Sequence, residues 1–334
     1  MKQYQHAMLD TLWYKKHFLS SILIPFSYLF CGVSAARRLA YQLKIKSTTH
    51  FNVPIIVVGN ITVGGSGKTP FVVWLADFLK AQGLRPGIVS RGYGGKSARY
   101  PLQVMADSDP NVAGDEAILI VQKTACPMVV APDRVAAVQY LLNDQPCDVI
   151  ISDDGLQHYA LGRDIEIVII DGVRRLGNGR CLPAGPLRES ANRLQKVDWI
   201  VTNGGAPRVG EYSMQLIPTE LHNLLNPNLT LSLSELRDKT VHAVAGIGNP
   251  QRFFHMLREN GLNILEHPLP DHHTFTQKDI DFGNDVITVM TEKDAVKCQN
   301  LATVNCWYLP VKCELPAELE KVILKKLHSL QKRG

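Results

Sequence analysis

Apolar positions along the chain fall into two regimes. Residues 18–36, FLSSILIPFSYLFCGVSAA, are almost continuously apolar and uncharged, between Lys15-Lys16 and Arg37-Arg38. From residue 50 onward, short apolar runs rich in β-branched residues alternate with helical patterns. Residues 53–58, 85–89, 128–131, 149–152, 165–170 and 199–201 read as strands, and 70–81 as a helix. Strands apolar at every position are buried on both faces, which predicts a mostly parallel sheet between two helical layers. Ligands of such sheets bind beyond the carboxyl ends of the strands, so the polar residues after each run deserve the closest reading.

Near 205–235 the pattern changes. Pro207, Pro218 and Pro227, with several asparagines, predict a connector or hairpin rather than a core strand. A second α/β pattern follows, with strands at 241–245, 286–290 and 306–311, a helix at 253–260 and a final helix from about Pro316. The predicted organisation is a leader with a membrane-associated helix (1–50), a main α/β/α domain (51–205), a linker or hairpin (206–240) and a smaller α/β domain carrying the final helix (241–334).

Length and composition agree with this division. A chain of 334 residues suggests two domains, and 45% hydrophobic with 20% charged residues excludes intrinsic disorder, a collagen-like chain and a multi-span membrane protein. Charge alters the picture more. Residues 1–50 hold seven Lys and Arg against Asp10, a charge of +6, so a total of +5 leaves the other 284 residues at −1. A nearly neutral body argues against a nucleic-acid groove. The basic flanks suit anionic headgroups, with the apolar segment either spanning a bilayer or lying in its interface. Pro25 and several serines weaken the spanning reading, and a buried core helix is the bland alternative. Trp13, Tyr14 and Tyr28 suit either an interfacial or a core role. No small-residue cleavage site follows the segment, which argues against a signal peptide. Seven cysteines without a CxxC pair predict reduced thiols in the cytoplasm rather than disulfides or a zinc site.

The strongest chemical signal is Gly59-Asn-Ile-Thr-Val-Gly-Gly-Ser-Gly-Lys-Thr69, between a strand and a helix. Backbone N–H groups of Gly64, Gly65, Ser66 and Gly67 can wrap phosphate oxygens, Lys68 can reach the β- and γ-phosphates, and the Thr69 hydroxyl can ligate Mg²⁺. The strict phosphate-loop pattern fails at its first glycine, which is Thr62 here. Asp153-Asp154-Gly155 closes a neighbouring strand, where such proteins hold Mg²⁺, although the triplet is also good turn chemistry. Gly114-Asp115-Glu116 reads locally as a helix start with an acidic first turn, or as a carboxylate placed to take a proton. Asp271-His272-His273 sets imidazoles beside a carboxylate. Arg188-Glu189 in LPAGPLRE can be a surface ion pair, and Arg91 in SRGYGG a strand-end contact for an anion. Thr291-Glu-Lys-Asp294 is only faintly similar to a guanine-reading NKxD box, and Thr291 reads as a helix cap.

Taken in order, GNITVGGSGKTP, SRGYGG, GDE, DDGLQH, LPAGPLRE, PDHH and TEKDAVK resemble the tetraacyldisaccharide 4′-kinases of lipid A synthesis over nearly the whole chain. The resemblance implies a P-loop NTPase-like three-layer α/β/α core, a smaller α/β domain, a two-stranded linker and an N-terminal membrane helix. It implies ATP and Mg²⁺, a lipid A disaccharide precursor as acceptor, and work at the cytoplasmic face of the bacterial inner membrane. No nucleic acid and no obligate protein partner are expected. Lys68 and Thr69 would serve phosphate and Mg²⁺. Asp115 would be the general base with His272, rather than His273, as its partner. Thr69, Asp153, Asp154 and Glu189 would serve the metal, with Arg91, Gln157, His158 and Arg188 in support. The competing class is a membrane-recruited P-loop switch that hydrolyses GTP or ATP, which leaves PDHH and LPAGPLRE unexplained.

Overall fold

The computed structural model describes residues 12–14, 18–283 and 286–331. Lys2, Asp10, Lys15 and Lys16 of the basic leader lie outside these residues.

Fifteen strands are present among the described residues: β1 (Ile55–Gly59), β2 (Pro86–Ser90), β3 (Leu102–Val104), β4 (Met128–Val130), β5 (Val149–Asp153), β6 (Ile165–Asp171), β7 (Trp199–Asn203), β8 (Glu211–Pro218), β9 (Leu221–Asn223), β10 (Thr230–Leu231), β11 (Thr240–Ala245), β12 (Asn263–Pro268), β13 (Thr288–Thr291), β14 (Cys306–Leu309) and β15 (Val311–Glu314). The helices are α1 (Phe18–Ile22), α2 (Ile24–Gln42), α3 (Lys68–Ala81), α4 (Pro110–Ala113), α5 (Asp115–Thr124), α6 (Arg134–Asp144), α7 (Pro250–Glu259), α8 (Gln277–Ile280), α9 (Glu292–Cys298) and α10 (Ala317–Gln331).

The larger sheet has the order β15-β8-β7-β6-β1-β5-β2-β4-β3. All pairs from β8 to β4 are parallel, and only the edge strands β15 and β3 run antiparallel. The all-apolar β1 sits in the middle, buried at every residue. Ile56 and Val58 face a layer that includes Phe71, Leu75 and Leu79 of α3 and Ile118 and Ile120 of α5. Ile55 and Val57 face Ala137, Val138 and Leu141 of α6. Pro70 falls in the first turn of α3, where its missing N–H has no intrahelical partner to lose. This is the three-layer α/β/α core. The smaller sheet, β10-β9-β14-β13-β11-β12, is parallel from β14 to β12 and packs α7 on one face and α8 and α9 on the other.

Two expectations change. The segment expected as a linker contains β8, a full strand of the larger sheet, because Glu211 onward pairs with β7. The strand expected at 306–311 is two strands in two sheets. Pro310 has no N–H for a ladder, and the chain changes sheets there. β15 then pairs with β8, and α10 buries Leu319, Ile323 and Leu327 against the larger sheet's core. The final helix therefore packs on the first domain, and the second is inserted between β8 and β15.

The N-terminal helices lie along the first domain. Ser27 Oγ donates to the Cys181 carbonyl at 2.6 Å, Cys31 packs on the core, and Tyr41 meets Tyr159 at 6.0 Å between ring centroids. Phe26, Leu29 and Val33 recur on the opposite side of α2 and are exposed. No described helix is long and apolar enough to cross a membrane. Trp13 is packed rather than displayed, its indole N–H donating to the Pro183 carbonyl at 3.0 Å, whereas Tyr28 is exposed.

Ile323→Ala should destabilise the protein by about 2–5 kcal/mol, the usual cost of an aliphatic core truncation. Denaturant titration checks this, and an unchanged midpoint would detach α10 from that core.

Candidate active site

The phosphate loop is braced from both sides. Asn60 Nδ2 donates to the Gly64 carbonyl and to Ser66 Oγ, each at 3.3 Å, and Asn203 Nδ2 donates to the Ser66 carbonyl at 3.0 Å. Gly67 adopts φ 94°, and a Cβ there would lie 2.1 Å from Asn203 Nδ2, so the position requires glycine. LPAGPLRE runs beside the loop. Val63 N–H donates to the Pro186 carbonyl at 2.8 Å, and Arg188 N–H to the Ile61 carbonyl at 2.7 Å. Thr62 bridges Leu187 in this pairing, and so a non-glycine residue is accommodated where the strict pattern asks for glycine.

The loop opens on a cleft of about 1290 Å³ between the domains. Gly64 to Thr69, Arg91, Asp153, Asp154, Gln157, Arg188, Glu189 and His272 all line it. Strand register sets Asp153 beside Val58 at the sheet's carboxyl edge. Burial pushes the Asp153 carboxyl up to about 7, with the nearby Glu116 charge adding to the effect. Burial acts on Asp154 in the same direction, but Lys68 at 3.5 Å and Arg188 at 3.0 Å overcome it and hold that carboxyl down to about 2. The neighbours therefore have opposite roles: Asp154 is neutralised by cations, while Asp153 Oδ1 is buried without a hydrogen-bond partner. No three His, Cys, Asp or Glu among the described residues form a cluster that can hold a metal alone. Mg²⁺ in phosphoryl-transfer sites needs only one or two carboxylates beside substrate phosphates and water. Thr69 and the orphaned Asp153 oxygen fit that requirement.

Asp115 starts α5 and is 3% exposed. His272 Nδ1 lies 3.2 Å from its Oδ1, and Lys297 Nζ 3.3 Å from its Oδ2, both from the second domain. Burial alone would raise this carboxyl. The close contact with His272 and the Lys293 and Lys297 charges hold it well below the usual carboxylate range instead. His272 takes a left-handed φ of 57° and lies against Tyr93, their ring centroids 4.8 Å apart. His273 points away, its Nε2 3.2 Å from Asp279 Oδ2. His272 lines the cleft, and Asp115 lies behind it.

Some expected residues do not converge. His158 turns to the start of α6, its Nε2 accepting from Arg134 N–H at 3.3 Å and lying 3.4 Å from Asp133, and it does not line the cleft. Burial and the Arg134 charge lower its pKa. Glu189 is not grouped with the Asp pair. It accepts from the Tyr159 hydroxyl at 2.6 Å and lies within 4 Å of Arg38 and Arg193. Gln157 braces the loop, donating to the Asn60 carbonyl at 3.1 Å.

Residues not singled out in the sequence complete the assembly. Lys293 Nζ donates to Glu116 at 2.8 Å and to Asp271 at 3.1 Å. At the far side of the loop, Arg174 donates to the Gly248 carbonyl at 3.1 Å, and Arg252 pairs with Asp171. Asn203 carried a usable signal, since it ends a strand on the edge where ligands bind, and Lys293 lies within the TEKDAVK motif.

A carboxyl raised on folding costs stability once pH exceeds its unfolded pKa. For Asp153 the loss grows from about pH 4 to about pH 7 and then levels off. Asp153→Asn should therefore melt higher than the unaltered ligand-free protein at pH 8, with the difference gone near pH 4. Melting curves at both pH values check this, and equal melting temperatures at pH 8 would refute the assignment.

Comparison with known proteins agrees with the constellation. The model of the tetraacyldisaccharide-1-P 4′-kinase family matches residues 19–328. A tetraacyldisaccharide 4′-kinase of Methylobacillus flagellatus is 52% identical over 326 residues, covering 97% of both chains. Another, of Nitrosococcus oceani, is 49% identical over 321 residues, covering 96% of this chain and 94% of its own. The crystal structure of LpxK from Aquifex aeolicus in complex with ATP superposes with a TM-score of 0.77 at 31% identity, over 92% of this chain and 99% of that one. With the family match running from α1 to α10, the chain belongs to the tetraacyldisaccharide-1-P 4′-kinases.

Proposed function

We propose that this chain transfers the γ-phosphoryl group of ATP to the 4′-hydroxyl of a tetraacylated glucosamine disaccharide 1-phosphate, with Mg²⁺, at the cytoplasmic face of the bacterial inner membrane. The observation that carries the reading is one cleft in which a phosphate loop faces an imidazole from across the domain boundary, the imidazole paired with a buried carboxylate of the loop's own domain.

Backbone N–H groups of Gly64 to Gly67 and the start of α3 receive the β- and γ-phosphates, and Lys68, steadied by Asp154, lies beside them. Arg188 is fixed on the same carboxylate and adds positive charge along the phosphate path. Thr69 and Asp153 hold Mg²⁺, which when bound neutralises phosphate charge. Glu189 acts one step back, ordering Tyr159, Arg38 and Arg193 at the cleft wall. The Asp115–His272 pair takes the acceptor's proton as the oxygen attacks. His272 faces the cleft, so its imidazole meets the hydroxyl, and the buried Asp115 carboxylate stabilises the imidazolium that results. The expectation had put Asp115 at the hydroxyl itself; its burial behind His272 favours this order.

The membrane reading rests on α2. Phe30, Val33 and Arg37 form part of the cleft wall, while Phe26 and Leu29 are exposed beside them. A helix lying in the interface buries those side chains among acyl chains and leaves the sugar head beside the phosphate loop. The switch reading has no comparable support: the family match is to kinases, and Thr291 caps α9, accepting from Asp294 N–H at 3.1 Å.

Label from γ-labelled ATP should appear on the tetraacyl disaccharide 1-phosphate. Asp115→Asn should keep ATP affinity and lower transfer by about 100-fold or more. Label released only as free phosphate, or near-normal transfer by that variant, would count against the reading. Phe26→Glu combined with Leu29→Glu should weaken binding to anionic phospholipid vesicles by about 10-fold or more, while transfer to acceptor dispersed in detergent continues. Undiminished vesicle binding would remove α2 from the membrane contact.

A further inference from the structure

Lys297, at the end of the TEKDAVK segment, takes no step in the reaction above. The geometry points to Lys297 as a positioning residue whose ammonium, carried in from the second domain, sets the pH at which the Asp115–His272 pair accepts the acceptor's proton. This rests on the proposed role of that pair as the base.

Lys293 and Lys297 stand four residues apart on α9 and so share one side of it. Lys297 Nζ lies 3.0 Å from Asp294 Oδ1 and 3.3 Å from Asp115 Oδ2. Asp294 is fully buried and fixed within its own domain, accepting from Gly246 N–H at 2.9 Å and from the Thr291 hydroxyl at 2.7 Å. Lys297 is thus anchored on a carboxylate of its own domain while its charge reaches the one across the boundary. Its ammonium lies 4.9 Å from the centre of the Phe275 ring, and only about an eighth of the side chain is exposed. Lys297 does not line the cleft, so it reaches the reaction only through Asp115.

The two oxygens of Asp115 are therefore both engaged by the second domain, Oδ1 by His272 and Oδ2 by Lys297. The other charged groups nearby are Glu116, Lys293 and Asp271. Lys293 bridges the two acids at 2.8 and 3.1 Å, and its charge also lowers Asp115, acting beside that of Lys297. Among the described residues Lys297 is the lysine whose ammonium pairs with Asp115 itself, at 3.3 Å from Oδ2. An opposite charge at such a distance lowers a carboxyl's proton affinity by about 1–3 pH units. A coupled carboxylate and imidazole titrate as a unit. Without the ammonium, the pair keeps its proton to higher pH whichever member carries it.

The test is the pH profile of kcat/KM for full-length protein in detergent, with ATP, Mg²⁺ and tetraacyl disaccharide 1-phosphate. In Lys297→Met the acid limb should move up by about 1–3 pH units, with most of the transfer rate recovered at the alkaline plateau. In Lys297→Arg, which keeps the charge, the limb should stay where it is. A uniform loss across pH in Lys297→Met, with the limb unmoved, would make Lys297 a purely structural residue and overturn the inference. ATP affinity reports whether each variant is folded, and if Lys297→Met is not, the uncharged Lys297→Gln carries the same test. Asp115→Asn separates the two levels. Should it retain transfer at all pH values, the base assignment falls and this inference with it. Should it abolish transfer while Lys297→Met moves no limb, only the role of Lys297 falls.

Discussion

A carboxylate almost wholly withdrawn from water lies at the seam between the two domains. Moving an ion out of water costs several kcal/mol unless partners replace its hydration. Asp115 belongs to the first domain, and its counter-charges His272, Lys297 and Lys293 all belong to the second. The placement of the domains and the chemistry of the site are thus one constraint. Separating the domains would remove these counter-charges together, so in the closed arrangement the second domain stands in for the water that Asp115 has lost. On the far side of the phosphate loop, Asp171 with Arg252 and Arg174 with Gly248 repeat the arrangement. Polar contacts at both ends of the cleft hold the second domain over the loop.

That arrangement suits phosphoryl transfer, which needs positioning and charge stabilisation more than covalent participation by the protein. Lys68 and Arg188 are both tied to Asp154, so their positive charge is in place before a nucleotide arrives. Preorganised charge of this kind need not be rearranged as the reaction proceeds. The acceptor poses a separate difficulty, because it is a sugar attached to chains that stay in a bilayer. On the proposed reading, a cleft with one wall formed by an apolar, half-exposed helix would let the protein go to the acceptor rather than draw it out.

Much of the larger sheet was legible in the sequence, because central parallel strands are apolar at every position and each ends in polar residues. The phosphate loop, the Asp pair and Asp115 with His272 lie within reach of one cleft, as the motif order implied. What stayed hidden depends on contacts between distant residues. Lys293 and Glu116 are 177 positions apart, and four-residue spacing on a short helix does not say what that face meets. His158 follows DDGLQ directly, yet the turn carries its ring to the start of α6. The run CWYLPV reads as one strand because its hydrophobicity continues through Pro310, while the missing N–H divides the stretch between two sheets. The prolines near 207–227 spoke for a connector. Instead, residues 211–218 form β8, which pairs with β7 in the larger sheet.

The route by which the chain leaves and returns has a consequence for its synthesis. On a ribosome, β1 to β8 emerge well before β15 and α10, and the entire second domain is made between them. Until residues 311–331 exist, the larger sheet lacks an edge strand and its core lacks the cover of Leu319, Ile323 and Leu327. The domain begun first is therefore the one completed last. The inserted domain, whose strands are contiguous in the chain, can finish folding while its host is still open. Domains usually fold in the order of their synthesis; here the order of completion is reversed, and the nascent nucleotide-binding half carries uncovered apolar surface for the longest time.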